Sequence, residues 1–130
     1  MLLEEHIETA KDFLVASDKE FEAGDYLQAS EKLWGAASQA VIALAKRRGS
    51  PDSSHGALRT LIFDLPETEG GPALRAGFVA AEKVHANFYH GFMDHGDEFA
   101  LSRQVVHEFV NAVLGLVNGE AQAQNGQDSG

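Results

Sequence analysis

With 130 residues, 44 % hydrophobic and 23 % charged, the chain has the length of one domain and the composition of a soluble globular protein. Cysteine is absent, which excludes disulfides, thiolate metal sites and a cysteine nucleophile, and fits a cytoplasmic location. No apolar run reaches the roughly 20 residues that span a bilayer, and the acidic start MLLEEHIETAKDF is unlike a signal peptide, so no membrane partner is expected. The formal charge of −10 repels polyphosphate: no DNA partner is expected, and RNA would need a local basic patch.

Helical periodicity runs from end to end. Leu3, Ile7, Ala10, Leu14 and Phe21 share one face of a first helix over about 2–23. Gly24 breaks it and Asp25 can cap the next, so two long helices form an antiparallel hairpin. The second helix carries Leu27, Ser30, Trp34, Ala37, Val41 and Leu44 at three- and four-residue steps. Gly35, Ala36 and Ala37 allow close backbone approach, and Lys46, Arg47 and Arg48 fill the last turn, where positive charge suits the helix dipole. Gly49 ends it.

A third helix, about 54–64, places Leu58, Leu61 and Ile62 on one side, and Pro66 closes it. Residues 67–71 read as a flexible connection. Pro72 suits the start of a fourth helix, about 72–90, with Leu74, Phe78, Ala81, His85 and Phe88 on one stripe. After a loop, a fifth helix over about 97–118 presents Phe99, Val106, Phe109, Val113, Leu116 and Val117. The tail 119–130 lacks any large apolar residue and is expected to be disordered. No useful strand alternation occurs, and nothing recurs near the period of 34 that a tetratricopeptide array requires. The expectation is an all-α, up-and-down bundle of four to five helices filling residues 1–118.

The stretch GDYLQASEKLWGAASQAVIALAKRRGSPDSSHGALRTL, with His55 after two serines and AEKVHANFY in the fourth helix, resembles the archaeal PaREP-type proteins, which are related to HEPN domains. The resemblance covers about residues 10–115. It implies a HEPN-like helical bundle that usually forms a homodimer. Relatives include metal-independent ribonucleases, RNA or nucleotide binders, and partners of minimal nucleotidyltransferases in toxin–antitoxin pairs. Nuclease members carry an arginine, four to six residues, then a histidine near the dimer cleft. This chain departs from that pattern: three residues separate Arg103 from His107 and nine separate Arg75 from His85. In the fourth helix, four residues separate His85 from His90 and six separate Lys83 from His90.

His85, Asn87, Tyr89 and His90 are the densest polar constellation. As a ribonuclease, His85 and His90 would share the work without metal, one taking the 2′-hydroxyl proton and one protonating the leaving oxygen, with Lys83 holding phosphate. The two lie about 140° apart on one helix, so a two-fold dimer would have to bring copies together. The plainer account makes His85 a core histidine bonded to Ser30, Glu31 or a carbonyl. His55 could face His85 in a pocket or simply help cap the third helix. Glu31 and Trp34 could offer an acceptor and an aromatic wall to a stacked base, although a lone Trp is usually a core anchor. His90, Asp94, His95, Asp97 and Glu98 look metal-like but read better as a solvated acidic loop, and Arg103, His107 and Asn111 as a polar solvent stripe.

No glycine-rich phosphate loop, G-x-S-x-G or H-E-x-x-H is present, so neither cofactor nor metal is expected. The acidic charge and the missing arginine favour a non-catalytic binding module for RNA, a nucleotide or a partner protein, with Glu31, Trp34, His55, Lys83, Asn87 and Tyr89 at its surface. The alternative is a metal-independent endoribonuclease, of the kind found in toxin–antitoxin pairs.

Overall fold

A computed structural model of the chain describes residues 2–93 and 96–128, with side chains as far as Glu120. Five α-helices follow in order: α1 (Leu3–Glu22), α2 (Tyr26–Arg48), α3 (His55–Phe63), α4 (Gly71–His90) and α5 (Gly96–Asp128). No strand occurs among the described residues. The fold is an all-α bundle, and no described helix is long and apolar enough to cross a membrane.

α2 is the central helix: α1, α4 and α5 pack along it, and short α3 lies across α4 and α2. Its alanines explain this. Ala29, Ala36, Ala37, Ala40, Ala43 and Ala45 are all fully buried, so three long helices reach its backbone closely. Leu33, Val41 and Leu44 of α2 then meet Phe78 and Val84 of α4 and Val106, Val110, Val113 and Val117 of α5 in one core. Leu27, expected on the core face of α2, is instead exposed in its first turn. At one end, Phe21, Tyr26 and Phe99 stack at 5.3–5.8 Å between centroids and close the bundle.

The turns follow local chemistry. Asp25 accepts from the Gln28 N–H at the start of α2, and Gly49, at φ +66°, ends it with the Ser50 N–H bonded back to the Ala45 carbonyl. Residues 67–69, expected as part of a flexible connection, form one 3-10 turn that leads through Gly70 into α4. α5 continues where the sequence reading ends it: Gly119 does not stop it, and the Glu-Ala-Gln-Ala run that follows has good helix propensity. Glu120 is there bonded by Arg48 Nε at 2.7 Å.

Candidate functional site

Glu31, Trp34 and Gly35 of α2 recur at three- and four-residue steps, as do His85, Phe88 and Tyr89 of α4. That spacing puts each trio on one helix face, and the two faces meet. With Phe13 of α1 they line a hollow of about 230 Å³. Gly35 sets its floor: a Cβ there would stand 3.0 Å from the Phe13 ring, so a larger residue would require that ring to give by a few tenths of an ångström.

Trp34 is rooted in the core by an edge contact with Phe78, 6.0 Å between centroids. The His85 ring stacks on the indole at 4.6 Å and 21°, and the His55 ring leans on it at 4.9 Å. The two imidazoles are 6.4 Å apart, too close for rings on opposite faces of one indole, so they are neighbours. Tyr89 stands nearly perpendicular to His85, at 5.2 Å and 84°, and to Phe88, at 5.0 Å and 73°. Tyr89 is 67 % exposed, which makes it the outer wall.

The imidazoles differ electrostatically. Burial pushes the His85 pKa below its ordinary 6.5, and the nearby His55 pushes it the same way, so its ring is neutral at pH 7. His55 Nε2 lies 2.8 Å from a Glu82 carboxylate oxygen, whose other oxygen accepts from Arg59. With Nε2–H donating, Nδ1 of a neutral His55 is left as an acceptor. Capping of α3 falls to Ser54, whose hydroxyl accepts from the Ala57 N–H, rather than to His55.

The structure therefore brings together Glu31, Trp34, His55, His85 and Tyr89. It does not bring His90 to them: that residue is the exposed last residue of α4. Lys83 is also exposed, its Nζ 4.0 Å from Glu98. Asn87 is elsewhere altogether. It is fully buried, donates to Ser30 Oγ at 2.9 Å and accepts from the Met93 N–H at 2.7 Å, while Ser30 donates to the Tyr26 carbonyl at 2.7 Å. The Ser30 hydroxyl considered for His85 thus serves Asn87.

Three features escaped the sequence reading. Arg103 and His107 are not a solvent stripe: Arg103 donates to Asp18 at 2.6 Å and His107 Nε2 lies 3.0 Å from the same oxygen, joining α5 to α1. His6 is buried and bonded to Gln39 at 2.6 Å. Two members of the basic cluster are engaged by acids: Lys46 pairs with Asp52, and Arg48 with Glu69 and Glu120. Spacing within one helix carries no signal for such partners on other helices.

A roomier hollow, about 580 Å³, lies by α3 between Pro51, Leu61 and Leu65, but it has no aromatic wall, and its one cation, Arg48, is already doubly paired. Among the described residues no three His, Asp or Glu side chains are placed to share a metal ion. Asp94 and His95 lie outside the described residues. No curated protein and no solved structure matches the chain. The model of the Archaeal PaREP1/PaREP8 family matches residues 5–110, nearly the whole of the bundle, and the chain belongs to that family.

Proposed function

We propose that this protein is a non-catalytic, cytoplasmic interaction module, whose hollow beside Trp34 receives a side chain of a partner protein. One observation carries the reading: the hollow is walled by aromatic rings and one carboxylate, and no lysine or arginine lines it. Phosphate recognition needs cations or aimed backbone N–H groups. Here Arg48, Arg59 and Lys46 are already held by acids, which disfavours an RNA or nucleotide occupant. In this reading residues 1–118 act as the single domain and 119–130 take no part in the site.

The module acts as a homodimer. Support comes from exposed apolar side chains on α4 and α5: Val79, Leu101 and Val105 are all more than two-fifths exposed, and Val105 lines a groove with Ala73, Ala76 and Ala112.

The test is a photocrosslink. Protein carrying benzoylphenylalanine in place of Tyr89 should capture one discrete protein in extract of its own host, and Glu31→Lys should abolish the capture. RNA incubated with the protein in EDTA at low salt should stay intact and unretarded. A second reading is the metal-independent endoribonuclease, favoured by the neutral His85 beside carboxylate-oriented His55. His85 would take the 2′-hydroxyl proton, the 2′-oxygen would attack phosphorus to give a cyclic phosphate, and an imidazolium would protonate the leaving 5′-oxygen. Cleavage lost in both His85→Ala and His55→Ala would establish it.

A further inference from the structure

We propose that the group received by this hollow is a quaternary or N-methylated ammonium borne on a lysine side chain of the partner, an assignment that rests on the interaction-module reading. The walls carry the argument. The His85 imidazole, which covers the indole face, the Phe88 ring and the Tyr89 ring form three faces, with Tyr89 close to perpendicular to the other two, around a space of about 230 Å³. Perpendicular rings offer a rounded cation several negative π-faces at once, which a flat base cannot use. The indole is a poor platform for a base, because His85 already stacks on it at 4.6 Å.

Charge points the same way. Glu31 is the one ionisable carboxylate among the lining residues, and the whole chain carries −10. The neutral His85 adds no positive charge to the lining. Lys32, which does not line the hollow, places its ammonium 5.7 Å from the Phe13 ring centroid, so that ring already serves a cation of the chain and the guest is left the His85, Phe88 and Tyr89 faces. Methylation matters because a bare ammonium brings three N–H donors that need acceptors, and the hollow offers one carboxylate. Methyl groups have no such need, and they bury against aromatic carbon at little desolvation cost.

Trp34 is the only tryptophan, so its fluorescence reads the site directly. The probes are a short peptide containing trimethyllysine, choline, and 3,3-dimethylbutan-1-ol, the neutral isostere of choline. The peptide and choline should both perturb Trp34, with the alcohol weaker than choline by about tenfold. Tyr89→Ala and Glu31→Gln, at exposed positions that leave the core intact, should each weaken both cations several-fold. Equal binding of the alcohol and choline would overturn the cation assignment. So would silence with every probe; a Tyr89-position crosslink that persisted would then keep the interaction module and discard its cation. Choline binding more tightly than the peptide would overturn a protein-borne ammonium in favour of a small-molecule one.

Discussion

Two clusters join α2 to α4 within one helical turn of each other, and they are built on opposite terms. Around Asn87 each polar atom is accounted for: the amide donates to Ser30, its carbonyl oxygen accepts from Met93, and water is shut out. Around His85 the contacts are faces of rings, the walls are half open, and Tyr89 stands in solvent. A closed hydrogen-bonded knot fixes one geometry, because leaving any buried member unpaired costs the desolvation it suffered. Stacked rings at a rim have no such penalty and can yield to a guest. The same pair of helices is thus locked by its buried face and kept available on its outer one.

The comparison can be broken most severely at Asn87. Asn87→Leu would strand the Ser30 hydroxyl and the Met93 N–H, and should lower the unfolding free energy by about 2–4 kcal/mol, read from urea denaturation. Gly77→Ala, on the buried side of α4, should cost about 1–3 kcal/mol, since its Cβ would stand 2.8 Å from Phe109. His85→Ala should cost less than about 1 kcal/mol and leave the fold intact, the low value expected of a rim residue. A loss as large as that at Asn87 would erase the contrast.

A pH series sharpens it further. Because burial lowers the His85 pKa, the unfolded chain takes up the proton first, so stability should fall as pH drops through 6.5 and level off below the folded value. The groups facing it are His55, with Glu82 and Arg59 behind, Glu31 and Tyr89. His85→Phe keeps the stack and should flatten its share of that slope. The smallest expected change is in stability on Leu101→Glu, within about 0.5 kcal/mol, while the same variant should shift the sedimentation of a dimer to that of a monomer.

Most of the bundle was legible in the chain. Gly24, Gly49 and the cap at Asp25 mark breaks that the structure keeps within a residue or two, since these are local conformational choices. Glu31, Trp34 and Tyr89 were also readable as surface candidates. The meeting of His55 with His85 was not resolved by sequence, because it depends on how α3 crosses α4. Asn87 was misplaced for the same reason: its helix position alone puts it beside His85 in the chain, and only the return of residues 91–93 shows that it faces inward. Arg103 and His107 drew a solvent reading because their partner, Asp18, lies 85 residues or more away.

The column of buried alanines along α2 has a consequence for how this family can change. A larger side chain at any of these fully buried positions would press on a neighbouring helix, so that face admits little variation. Glu31, exposed beside the hollow, can be rewritten without disturbing the interior, whereas Trp34 next to it is tied to Phe78 in the core. A lineage could therefore exchange one guest for another by drift on a few surface positions while inheriting its scaffold untouched.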